Sequence, residues 1–126
     1  MERTTMPKIG LVVCGSNASN AGALTAAAAL KIITRCKDVV ILSLPSLANQ
    51  IPRQIALAKK IEKLIVVDGC HNECAKKILE GLGIKYDAYL NLEYDLKIMK
   101  SGPFTTLDYS EDDLTKVEEA IYKLCN

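Results

Sequence analysis

The sequence predicts a small three-layer α/β fold of Rossmann-like type, with a four-stranded, mainly parallel sheet in the order 2-1-3-4. Three observations carry this reading. Short, nearly continuous apolar runs at 8–13, 39–42, 64–68 and 88–92 have the pattern of strands covered on both faces. Helix-forming stretches separate these runs, which calls for right-handed crossovers and hence parallel neighbours. The length of 126 residues gives room for one domain, residues 1–126, and excludes a cleft between two domains.

The first strand ends at Cys14, and Gly15-Ser16-Asn17-Ala18-Ser19-Asn20 forms the polar loop after it. The Ala-rich run 21–35 is rich in strong helix formers. Leu24, Leu30 and Ile33 are its larger apolar contacts, and its small face suits close packing on the sheet. The second strand runs out into the loop Ser43-Leu44-Pro45-Ser46. A helix over 52–61 follows, with Pro52 at its start and Lys59, Lys60 and Lys63 near its end, where cations meet the negative pole of the helix dipole. The third strand turns at Gly69 into a helix running from Cys70 or His71 to Glu80 and stopped by Gly81 and Gly83. Cys74, Ala75, Ile78 and Leu79 lie on or near its inward side. Residues 93–107, around Gly102-Pro103, form an irregular lobe. Ser110, with Asp113 three positions on, caps a final helix whose apolar face is Leu114, Val117, Ile121 and Leu124.

Composition removes several function classes. Sixteen Lys and Arg against fifteen Asp and Glu leave a formal charge of +1. There is neither a basic run nor interleaved aromatics, so nucleic acid is not expected as a partner. The longest apolar stretch, 21–33, is interrupted by Thr25 and Lys31 and falls short of the ~20 residues of a membrane span. Five cysteines in a chain whose first seven residues resemble no secretory signal indicate a reducing setting, the cytoplasm. The sequence sets no oligomeric state.

The cysteines divide by position. In the order 2-1-3-4, strands 1 and 3 are neighbours, and their outgoing loops meet at the crevice where open sheets place ligands. Cys14 and Cys70 fall there, and Cys74 is one helical turn beyond Cys70 on the same face. Three converging thiols suit a soft metal, zinc by default. The positive end of a helix starting near Cys70 favours thiolate over thiol, which serves metal ligation, nucleophilic attack or anion binding equally. Cys36 and Cys125 fall away from the crevice.

Asp68-Gly69-Cys70, continued as His71-Asn72-Glu73-Cys74-Ala75, and Cys14-Gly15-Ser16-Asn17 after the first strand resemble the DGC domain family, named for that Asp-Gly-Cys. The resemblance implies zinc binding through cysteines, with Cys14, Cys70 and Cys74 as metal ligands. Where relatives often carry a further Cys after strand 2, this chain has Ser43-Leu44-Pro45-Ser46.

Ser16, Asn17, Asp68 and His71 are the additional candidate site residues. His71, the single histidine, is a candidate fourth ligand or a base beside Cys70, with an exposed first-turn residue as the plainer reading. Asp68 either orients a ligand or serves the turn, and Ser16 and Asn17 either donate to a ligand or shape the loop. Lys97 and Lys100 are candidates for binding an anion. A phosphatase cradle fails because position 20 is Asn rather than Arg, and the glycine pattern of neither a dinucleotide site nor a P-loop is present. Three functions remain: a metal-binding protein in a handling, sensing or structural role; a thiol enzyme or sulfur carrier with Cys70 as nucleophile and Cys74 or Cys14 resolving; and a non-catalytic interaction domain with a protein partner.

Overall fold

The structure is a computed structural model and describes residues 6–126. Met1 to Thr5, most of the stretch bearing on a secretory signal, lie outside the described residues. The elements run β1 (Ile9–Val13), α1 (Asn20–Arg35), β2 (Val39–Ile41), α2 (Leu44–Ala48), α3 (Pro52–Lys60), β3 (Lys63–Asp68), α4 (Cys74–Gly81), β4 (Ala88–Asn91), α5 (Leu92–Leu96) and α6 (Glu111–Cys125). The sheet has the expected order β2-β1-β3-β4, and all three pairings are parallel.

Successive side chains of β1 and β3 go to opposite faces, so each strand feeds two apolar layers. Leu11, Val13, Ile65 and Val67 pack under α1 and α6, with Leu24, Ala28, Ile32, Val117 and Ile121. Val12, Leu64 and Val66 pack on the other face with Leu47, Ala75 and Leu79 from α2 and α4. This two-sided burial explains why the strands read as unbroken apolar runs.

Three local expectations are corrected. The buried stripe of α1 is Leu24, Ala28 and Ile32, at intervals of four, whereas Leu30 and Ile33 are exposed. Ser43-Leu44-Pro45-Ser46 is no loop: Ser43 caps the short α2, accepting from the Ser46 amide, and Pro45 sits in its first turn, where its missing N–H costs nothing. The helix after β3 begins at Cys74, three to four residues after the expected start at Cys70 or His71.

Among the described residues, no helix is long and apolar enough to cross a membrane.

Candidate functional site

The late start of α4 follows from Asp68. This carboxylate is buried at the end of β3 and accepts from the Ala75 amide at 2.8 Å through Oδ1 and from the Lys76 amide at 3.0 Å through Oδ2. It therefore caps α4 from a distance in sequence. The residue at the N-cap position itself, Glu73, contributes no side-chain cap and sits at φ 53°, in the left-handed region that costs an L-residue roughly 1 kcal/mol or more. Gly69 closes the same junction. A Cβ there would stand 2.9 Å from the Ala21 carbonyl carbon, so the turn lies against the first turn of α1 only because position 69 has no side chain. Asp68-Gly69-Cys70 thus has a physical explanation: a cap, a close approach, and a cysteine delivered to the crevice.

A pocket of about 270 Å³ lies at this carboxyl end of the sheet. Cys14, Cys70 and Cys74 all line it, together with Ser16, Ser19, Asn72 and Lys100. Cys14 extends the β1–β3 ladder, donating its amide to the Val67 carbonyl at 3.0 Å, and its Sγ lies 3.5 Å from the Thr25 hydroxyl. Thr25 also receives the Gly15 amide at 3.0 Å and donates to the Gly22 carbonyl at 2.8 Å, so one buried hydroxyl ties the Cys14 loop to α1. Cys70 occupies the turn between β3 and α4. Its carbonyl accepts from the buried Asn91 side chain at 2.9 Å and from the Glu73 amide at 3.1 Å. Cys74 is the first residue of α4 and is exposed overall. Its thiol is nonetheless pushed up from the ordinary cysteine value, by partial burial above all, then by the charge of Asp68 and by Cys14 and Cys70, against the opposing charge of Lys100.

These placements overturn the helix-dipole argument as the sequence framed it. Cys70 precedes the helix instead of starting it, and two of the first-turn amides that would favour an anion, those of Ala75 and Lys76, are already taken by Asp68.

The expectation of zinc, or of another soft metal, as cofactor and partner is corrected as well. Among the described residues, no group of three or more His, Cys, Asp or Glu side chains could hold a metal ion. The physical reasons are local. With Cys70 outside the helix, the one-turn spacing that was to bring it beside Cys74 does not exist. The Asp68 carboxylate is committed to α4. His71 is no fourth ligand: it is exposed, and its Nδ1 lies 2.9 Å from Glu93 Oε1, which also accepts the His71 amide at 3.2 Å.

Of the additional candidates, Ser16 lines the pocket, whereas Asn17, Asp68 and His71 do not. Asn17 is exposed, and its carbonyl accepts from the Thr106 hydroxyl. Lys97 is exposed and donates to the Tyr94 carbonyl, away from the pocket. Lys100 does line it. Ser19 and Asn72 were missed, and so was the supporting role of Asn20, Thr25 and Asn91. Cys36 and Cys125 share a separate hollow with Lys8 and Asp38. The Cys125 thiol is raised there by burial and then by Cys36.

The DGC domain family matches residues 11–121. The chain belongs to that family. Its DGC domain includes every residue lining the pocket, from Cys14 to Pro103. No curated protein and no solved structure matches the chain.

Proposed function

We propose that this DGC domain is a thiol-dependent protein in which Cys70 is the nucleophile. The observation that carries the reading is that Cys14, Cys70 and Cys74 line one pocket while Cys36 and Cys125 lie elsewhere. Within the trio the environments differ. Cys74 is held as a thiol by burial and by Asp68, and Cys14 has the Thr25 hydroxyl beside its sulfur. Cys70 sits in a turn whose backbone is fixed by Asn91, half-buried and open to the pocket. In the exchange this arrangement supports, the Cys70 thiolate attacks one sulfur of a disulfide-bonded compound and expels the other as a thiolate. Cys74 or Cys14 then attacks Cys70 Sγ, releasing the second half of the compound and leaving a protein disulfide, with two electrons passed from protein to substrate.

The test is alkylation of the reduced full chain by limiting iodoacetamide, with each cysteine quantified by mass spectrometry. Cys70 is expected to react first, and C70S to abolish this fast phase while C14S and C74S retain it. Reaction of Cys70 no faster than that of Cys36 overturns the reading. A second reading, the non-catalytic interaction domain, is favoured by one observation: Met99, Phe104 and Leu107 present large apolar side chains to solvent on the segment beside the pocket, Phe104 being 97% exposed. An inert Cys70 would leave that reading in place.

A further inference from the structure

We propose that the pocket takes a small anionic disulfide or thiol, with its anionic group toward Lys100 and its sulfur toward Cys70. This rests on the reading of Cys70 above and adds the class of compound. Lys100 is the one basic side chain among the residues lining the pocket, and none of those residues is acidic. It has no ion-pair partner among the described residues. Asp68, a buried carboxylate that acts on Cys74, does not itself line the pocket and has both oxygens engaged by α4.

The position of Lys100 is built. The buried side chain of Asn20 grips the backbone on either side of it, donating from Nδ2 to the Met99 carbonyl at 3.1 Å and accepting the Ser101 amide on Oδ1 at 2.8 Å. The Asn20 amide in turn donates to the Thr105 hydroxyl at 3.1 Å, and Thr105 closes on the Gly102 carbonyl at 2.7 Å. One buried residue of α1 thus fixes residues 99–105 over the pocket and carries Lys100 to its rim. A volume of about 270 Å³ lies under the range of ~300–1,000 Å³ typical of drug-sized ligands, which limits the occupant to a compound of a few functional groups.

A charged and an uncharged reagent of similar size test this on the full chain. Iodoacetate carries an anion and iodoacetamide does not, and the ratio of their rates at Cys70 isolates the electrostatic preference. In the folded protein this ratio is expected to exceed that of Cys70 in the urea-unfolded chain by about threefold or more, and to fall as salt is raised. K100Q should bring the ratio down to the unfolded value and K100E below it; both reagents react with the same thiolate, so the ratio is independent of any change in thiol acidity that these variants cause. K60E, the same charge change on α3 and outside the pocket, should leave the ratio where it was. Equal ratios in folded and unfolded protein, or a ratio insensitive to K100Q, overturn the anionic assignment. Failure of the underlying thiol reading shows separately, as an iodoacetamide rate at Cys70 no higher than at Cys36.

Discussion

The Tyr89 hydroxyl donates to Asp68 Oδ2 at 3.0 Å, the same oxygen that accepts the Lys76 amide. Burial above all pushes the Tyr89 phenol far up from its ordinary value, with the charge of Asp68 adding to the effect against a hydrogen bond from Asn91. The phenol therefore keeps its proton as a donor, and the Asp68 carboxylate accepts from one strand and one helix at once.

Removing that acceptor should cost stability. Asp68→Ala leaves the Ala75 and Lys76 amides and the Tyr89 hydroxyl without their partner, a loss of roughly 2–4 kcal/mol. Asp68→Asn keeps one acceptor oxygen and should lose about half as much. Urea unfolding reads both as a lower midpoint at unchanged slope. An Ala variant within ~0.5 kcal/mol of the parent would show that α4 does not depend on this cap.

Glycine substitutions should sort by what a Cβ meets. At Gly69 it would press on the backbone of Ala21, with the carbonyl carbon at 2.9 Å and the oxygen at 3.0 Å, and Gly69→Ala is expected to cost about 1–3 kcal/mol. At Gly22 it would stand 1.7 Å from the Ser16 carbonyl oxygen, so Gly22→Ala must displace the Cys14 loop and should lower yield or melting temperature more sharply. At Gly81, the last residue of α4, nothing lies within 4 Å, and Gly81→Ala should stabilise by roughly 0.5–1 kcal/mol. Thermal melts that rank the three otherwise would contradict this packing at the pocket.

The sheet was legible because two-sided burial writes itself into sequence as apolar runs, and the parallel order followed from the alternation of runs and helices. The last helix was legible for a similar reason: Ser110 accepts the Asp113 amide at 3.0 Å, and Leu114, Val117 and Ile121 are all buried. What escaped reading were relations that span the chain. Asp68 capping a helix seven residues away and Asn20 holding residues 99 and 101 leave no periodicity behind. The sequence reading starts α4 too early because it takes Gly69 as the whole turn, whereas the turn runs on to Glu73 and the cap comes from Asp68. The metal set was misjudged because two cysteines four apart imply a shared face only when both are helical, and Cys70 is not.

His71 should be separable from the thiols. Its hydrogen bond holds the Glu93 carboxyl below the usual carboxylate range, with the His71 amide adding to the effect. A carboxyl lowered on folding favours the folded state above its unfolded pKa, and that contribution is lost as pH falls through the folded value. His71→Ala should raise the Glu93 titration in carbon-detected NMR and flatten the acid limb of the stability profile, while Cys70 alkylation stays as it was. A slowed Cys70 in this variant would return His71 to the site.

Cys74 should titrate high and respond to two neighbours in opposite directions. Its thiol is raised by partial burial first and by Asp68 second, and lowered by Lys100. The rate of its alkylation should therefore rise with pH about a midpoint above that of an ordinary cysteine, since the thiolate is the reacting form. Asp68→Asn removes a negative neighbour and should move the midpoint down, yet leave it above the ordinary value because burial persists. Lys100→Gln removes the positive neighbour and should move it up. Because the folded thiol keeps its proton to higher pH than the unfolded one, its contribution favours folding below the ordinary thiol range and is lost as pH climbs through the raised value. If the midpoint stays put in Asp68→Asn, the charge at the base of α4 is not felt in the pocket, and the assignment of Cys74 as the resting thiol beside a reactive Cys70 loses its electrostatic basis.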